Sequence, residues 1–218
     1  MELNRWWRIG VPLLTPLLRL LLRVRVEGTE HVPSRGPAVL AFNHVSMLDG
    51  PVLAIETARR LKRETRYLVA AEMFHKRVIG WALRRYDQIP IRRGEGDVAA
   101  LDEAIDTVRA GALAAIAPEG RIHEEPDQGL QRVRSGVARI ALPTGAPVIP
   151  VGIWGTHRRW PRGGIRYGRP WRPHVGLAFG EPILPAGDAY SDADIDAFVE
   201  RMRERLEAQV ARARELAM

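Results

Sequence analysis

With 218 residues, 46% of them hydrophobic and 27% charged, the chain can bury a sizeable core and reads as a folded globular protein, which excludes a disordered, low-complexity or repeat-built chain. The formal net charge is +7 and is carried almost wholly by arginine, Lys62 and Lys76 being the only lysines, so an anionic partner is expected: phosphate, nucleic acid or lipid headgroup. There is no cysteine, which excludes disulfides, thiolate metal sites and a cysteine acyl-enzyme, and permits a reducing cytoplasm.

Residues 1–26 stand apart from the rest. Arg5, Trp6, Trp7 and Arg8 precede a nearly apolar run from Ile9 to Leu22 that includes Leu17 and Leu18, is broken by Pro12, Pro16 and Arg19, and is followed by Arg23 and Arg25. A spanning helix needs about 20 predominantly apolar residues, and this run is shorter and carries a charge. No small-residue cleavage site follows it, so a secretory signal also fits poorly. Tryptophans and arginines beside leucines suit a segment lying in a membrane interface, with Trp6, Trp7, Leu17 and Leu18 as its contacts. A core-packing helix at the domain edge is the other reading.

Residues 27–218 alternate strand-like and helix-like stretches. Strands are expected at Val24 to Glu27, Ala38 to Phe42, Arg66 to Ala71, Gln88 to Ile91, Leu113 to Ala117 and Pro147 to Trp154. Helices are expected from Pro51 to Lys62, Met73 to Tyr86, Asp97 to Ala110, Ser135 to Leu142 and Ser191 to Ala217, the last with Ser191 as N-cap. Such alternation predicts an α/β fold with a largely parallel sheet flanked by helices, whose ligands collect beyond the carboxyl ends of the strands.

His44, Arg93 and Glu119 each follow an expected strand and can share that rim. Asn43-His44 closes one strand and Asp49-Gly50-Pro51 opens a helix, with Asp49 read as N-cap, so a tight loop can fold His44 against Asp49. A carboxylate accepting one ring N–H fixes the tautomer and leaves the other nitrogen free to take a proton from a substrate hydroxyl. A structural histidine beside an ordinary N-cap has the same spacing. Only one of the neighbours Arg92 and Arg93 can face the rim from extended backbone. Pro118-Glu119-Gly120-Arg121 adds a carboxylate, a glycine permitting close approach, and an arginine. The stretch Thr156 to His174, rich in Arg and carrying Trp160 and Trp171, suits a nucleic-acid loop, a lipid-surface loop or a merely solvated one.

Four ordered blocks resemble the lysophosphatidic acid acyltransferase family of glycerolipid acyltransferases. Asn43-His44 with Asp49 matches its N-H-x4-D signature; Ile89-Pro90-Ile91-Arg92-Arg93, Pro118-Glu119-Gly120 and Val148-Ile149-Pro150-Val151 resemble the second, third and fourth motifs. The chain departs from the pattern at Asp87, where glycine is common, at Ala117, where phenylalanine is common, and at Arg121, one place early. The resemblance implies a membrane-associated O-acyltransferase on the cytoplasmic face of the cell membrane, peripheral or monotopic. It would move a fatty acyl group from acyl-CoA or acyl carrier protein to 1-acylglycerol 3-phosphate. His44 would be the base and Asp49 its orienting partner. Arg93, Glu119, Gly120 and Arg121 would hold the acceptor and its phosphate, with Asn43, Pro118 and Pro150 supporting. It implies neither cofactor nor metal, and an anionic membrane surface as partner in place of nucleic acid. Another acceptor (glycerol 3-phosphate, a lysophospholipid or a glycolipid) and a noncatalytic basic membrane- or nucleic-acid-binding protein are the alternative readings.

Overall fold

The computed structural model describes residues 3–92 and 96–218. Its frame is a seven-stranded sheet in the order β1-β7-β6-β2-β5-β3-β4, built from β1 (Arg23–Glu27), β2 (Ala38–Phe42), β3 (Thr65–Ala70), β4 (Ile89–Ile91), β5 (Leu113–Ile116), β6 (Val148–Trp154) and β7 (His174–Phe179). Every neighbouring pair is parallel except β6 with β7.

The central strands are apolar on both faces because both are covered, as parallel sheets require. In β2, Ala38, Leu40 and Phe42 enter one apolar layer, together with Leu22, Leu53, Leu113 and Ile149. Val39 and Ala41 enter the other, with Ile140, Phe198, Met202 and Leu206. The first layer is roofed by α1 (Arg5–Leu21) and α2 (Asp49–Leu61), the second by α4 (Val98–Arg109), α5 (Gly136–Thr144) and α6 (Asp192–Leu216). The backbone of α6 lies directly on the sheet, since a Cβ at Gly152 would sit 1.9 Å from the Gln209 carbonyl oxygen and one at Gly176 2.0 Å from that of Ala213.

The helix expected from Met73 to Tyr86 is broken at Lys76 into a 3-10 turn, Ala71–His75, and α3 (Arg77–Arg85). The chain doubles back there: a Cβ on Gly80 would lie 2.0 Å from the Phe74 carbonyl oxygen, which also accepts from Arg84 at 2.9 Å. Strand β7 begins at the end of the expected loop and matches no expected strand, its alternation being masked by Gly176 and a wholly buried run from Val175 to Phe179. Asp49 is the first helical residue and not the N-cap, a position held by Leu48.

Helix α1 is amphipathic and only partly matches its expected contacts. Trp7 and Leu18 face inward, at 4% and 6% exposure, Trp7 packing edge-on against Tyr86. Trp6 stands edge-on to Trp81 of α3. The outward stripe is Leu13, Leu17 and Leu20, exposed at 70%, 51% and 60%. Trp7 and Leu18 are therefore core residues, and of the expected interface leucines Leu17 alone is on the surface. No helix among the described residues is long and apolar enough to cross a membrane.

Candidate active site

Strands β2 and β5 lie side by side and parallel, so the loops after Phe42 and Ile116 leave the sheet on the same rim. His44 comes from the first loop and Glu119 from the second. The long β6, also parallel to β2, ends beside them at Trp154, and the turn that follows contributes Thr156.

The loop after β2 is wound around the Asp49 carboxylate. Its Oδ2 accepts the backbone N–H groups of Val45 and Ser46, both at 2.7 Å, and lies 3.0 Å from His44 Nδ1. Its Oδ1 accepts the Thr156 hydroxyl at 2.5 Å. Asp49 is fully buried while the His44 side chain keeps 18% of its surface exposed, so the pair is shielded on the carboxylate side and open at the ring. An ionised carboxylate can only accept, so Nδ1 carries the proton of this contact and Nε2 presents its lone pair outward. That arrangement can take a proton from a bound hydroxyl. The N–H groups of Val45 and Ser46, near the start of α2, are thereby committed to Asp49.

Asn43 clamps the loop to the neighbouring strand: its amide accepts from Ile153 N at 2.7 Å and donates to Ile153 O at 2.9 Å. Glu119 plays a similar part from β5. It is 2% exposed, and its two oxygens accept from the backbone N–H groups of His44 at 2.8 Å and Gln131 at 3.0 Å. Burial raises its pKa, and the two backbone donors oppose that shift. Glu119 thus ties the His44 backbone to the segment ahead of α5, and its carboxylate has no oxygen free of these contacts. Gly120 adopts φ +71, a conformation that a side chain would strain, beneath the Arg134 guanidinium; Pro118 O accepts from Arg134 N at 3.0 Å. Arg121 is exposed, with Nε donating to Gln131 Oε1 at 2.5 Å. Arg93 lies outside the described residues. Its neighbour Arg92 is turned to Asp97, 3.6 Å away. Pro150 sits inside β6, in register with Ala41 of β2, where it supports the strand and is not at the rim.

Thr156 and the stretch after it join this site although no motif places them there. The Ser46 hydroxyl and Met47 N both donate to Trp160 O, at 2.6 and 3.1 Å, so the Arg-rich stretch is bound to the histidine loop. Arg159 is buried at its centre and donates to the carbonyl oxygens of Arg166, Pro170 and Trp171. Spacing from the histidine motif carries no signal for Thr156, since it is 107 residues from Asp49.

His157, next along, is held edge-on to Trp154 with Nδ1 buried and without a hydrogen-bond partner among the described residues. Burial lowers its pKa from the ordinary 6.5, and nearby Arg158 adds to the effect. The folded state therefore binds this proton more weakly than the unfolded chain, so its contribution to stability is complete above that value and is lost as pH falls below it. His157→Phe, which keeps a flat ring, is expected to reduce the drop in Tm between about pH 7 and pH 5. An unchanged acid slope would show that other groups govern it.

The profile of the Acyltransferase family matches residues 23–154, more than half of the chain and a span that holds every residue of the His44 loop. The chain belongs to this family. A chloroplastic 1-acyl-sn-glycerol-3-phosphate acyltransferase of Arabidopsis thaliana is 29% identical over 144 residues, covering 65% of this chain and 38% of that protein. A 1-acyl-sn-glycerol-3-phosphate acyltransferase of Bacillus subtilis is 25% identical over 192 residues, covering 87% of this chain and 89% of that protein. The crystal structure of the 1-acyl-sn-glycerophosphate acyltransferase PlsC from Thermotoga maritima superposes with a TM-score of 0.70 at 26% identity, over 94% of this chain and 79% of that one. The chain thus spans about two fifths of the length of the Arabidopsis relative.

Proposed function

We propose that this acyltransferase moves a fatty acyl group from acyl-CoA or acyl carrier protein to the free hydroxyl of 1-acylglycerol 3-phosphate, giving phosphatidic acid at a membrane surface. The observation that carries the reading is the His44 ring, oriented through Nδ1 by a buried, multiply bonded carboxylate and open at Nε2.

In the reaction, Nε2 takes the proton of the acceptor hydroxyl as its oxygen attacks the thioester carbonyl carbon. Asp49 faces the positive charge that develops on the ring. The C–S bond then breaks, and the leaving thiolate takes up a proton, directly or through solvent, as the ester forms. No bond to the protein is made, in keeping with a chain that has no cysteine. Arg93 and Arg121, from their places in the motifs, are assigned to the acceptor phosphate; Glu119 and Gly120 shape the loop that carries Arg121. A panel of acceptors (1-acylglycerol 3-phosphate, glycerol 3-phosphate, neutral lysophospholipids, a glycolipid) against both donors tests the assignment. Preference for an acceptor without phosphate would overturn it.

The exposed stripe of α1 supports a peripheral seat on the bilayer, with leucines inserted and arginines beside them, and the proposal puts that seat at the cytoplasmic face. Removing residues 1–22 is a poor test, because Trp7, Leu18 and Leu22 belong to the core. Changing Leu13, Leu17 and Leu20 together to serine is expected to weaken vesicle binding by roughly tenfold or more, since each buried leucine is worth about 1.5–3 kcal/mol. Transfer to a short-chain, water-soluble acceptor should persist. Unchanged vesicle binding would place the membrane contact elsewhere.

A further inference from the structure

We infer that a second anion site lies on the same rim, apart from the His44–Asp49 pair, and that it seats the phosphate of an anionic phospholipid headgroup. This deepens the membrane reading above and rests on it. Arg23 opens β1 and His174 opens β7, and the two residues are in register. Because β7 runs antiparallel to β6, with Gly176 opposite Trp154, both stand at the end of the sheet where His44 emerges. Together with Arg158, Pro170, Trp171 and Arg172 they line a cavity of about 390 Å³.

Ala217 and Met218 complete the lining; no acidic side chain is part of it, and the terminal carboxylate of Met218 is a single negative charge against three arginines. Several arginines elsewhere are paired with acids: Arg66 with Glu103, Arg162 with Glu124, Arg212 with Glu27 and Arg214 with Asp127. The three cavity arginines contact only uncharged side chains and main-chain oxygens among the described residues. Arg23 Nη1 is 3.4 Å from His174 Nε2, Arg158 Nη1 donates to Ala217 O at 3.3 Å, and Arg172 donates to Arg19 O; His174 Nδ1 lies 3.2 Å from Met218 O. Arg172 Nε is buried with no hydrogen-bond partner among the described residues. Three guanidiniums around one concavity repel one another, and a phosphate accepting planar, paired N–H bonds relieves that repulsion.

The site is built and not a chance convergence of surface side chains. Arg159, 5% exposed, holds the wall in place through the carbonyl oxygens of Pro170 and Trp171, and its guanidinium lies 5.6 Å from the Trp171 ring centroid. The position selects the source of the phosphate. Arg172 bonds the last turn of α1, where Leu17 and Leu20 are exposed, and Trp171 is 61% exposed beside it. A lipid phosphate in the cavity would therefore have an apolar helix face and an aromatic ring next to it, the pattern of an interfacial anchor. With Arg158 two residues from Thr156, a lipid held there brings the catalytic rim to the bilayer.

The test is flotation of the full chain with phosphatidylcholine vesicles and with vesicles that also contain phosphatidylglycerol. Wild type should prefer the latter. Arg23→Gln with Arg172→Gln should abolish most of that preference, lowering affinity for the anionic vesicles by about tenfold or more. Arg166→Gln with Arg169→Gln, which removes the same charge from the Arg-rich stretch outside the cavity, should cost only a few-fold. Since Arg172 also braces α1, Arg23→Gln alone, which loses only the His174 contact, should shift binding in the same direction. The kinetics with acyl-CoA and a short-chain acceptor should not change in any of these variants. Equal losses in the two double variants would overturn the cavity in favour of diffuse charge. A raised KM for acyl-CoA with unchanged vesicle binding would give the phosphate to the donor and overturn the headgroup assignment. Failure of wild type to bind either vesicle would overturn the membrane reading, and the headgroup with it.

Discussion

Replacing His44 by alanine is expected to lower acyl transfer by about 10²–10⁴-fold, the usual worth of a positioned general base, without unfolding the protein. The ring is partly exposed, and the loop that carries it is held by contacts that alanine keeps: His44 N to Glu119, His44 O from His123 N at 2.7 Å, and the Asn43 clamp on Ile153. The Phe42 ring loses an edge-on neighbour 6.0 Å away, a small loss. The measurement is turnover at saturating donor and acceptor, with thermal unfolding as control. Near-normal turnover in a variant with unchanged Tm would remove His44 from the mechanism. A variant that loses activity only together with its Tm would show the ring to be a packing element.

The layout of this site is readable where the chemistry is local and unreadable where it is distant. Asn43, His44 and Asp49 fall within one strand-loop-helix segment, so their approach follows from a short loop between two ordinary elements. The apolar runs of β2, β5 and β6 likewise announce buried parallel strands. Asp49 reads as an N-cap because its type and place suit one; in the fold its side chain points back into the loop, where His44 Nδ1 and two backbone N–H groups compete for it. Glu119 shows the opposite limit. Its motif marks it as functional, yet a carboxylate's partners can be two backbone N–H groups 75 and 12 residues away, which no local pattern encodes. The stretch from Thr156 to His174 is the least legible, because its arginines suggest solvent throughout. Arg159 is buried as the hub of that stretch, an arginine bonded through Nη1 and Nη2 to main-chain oxygens and leaving no sign in composition.

Asp49→Asn is expected to separate charge from geometry. Oδ2 faces three N–H donors, from Val45, Ser46 and His44, whereas Oδ1 faces one hydroxyl, that of Thr156. An asparagine therefore settles with its carbonyl oxygen toward the three N–H groups and its NH₂ toward Thr156, whose hydroxyl turns round to accept. The loop and the His44 tautomer are kept, and what is lost is the negative charge facing the ring as it takes the proton. Hydrogen bonds to charged groups are worth about 1.5–3 kcal/mol, so turnover should fall by roughly 10–10²-fold with KM and Tm little changed. Thr156→Val in the wild type deprives a buried carboxylate oxygen of its donor and should cost about 1–3 kcal/mol of stability. In the Asp49→Asn background the same change does less. The three N–H donors still hold the carbonyl oxygen, and what goes unpaired is a neutral NH₂ in place of a charged carboxylate oxygen. The two substitutions should therefore cost less together than the sum of their separate effects, the signature of residues sharing one hydrogen-bond network. Additive losses in turnover and Tm would mean that Thr156 does not orient Asp49, and that the carboxylate is positioned by the histidine loop alone.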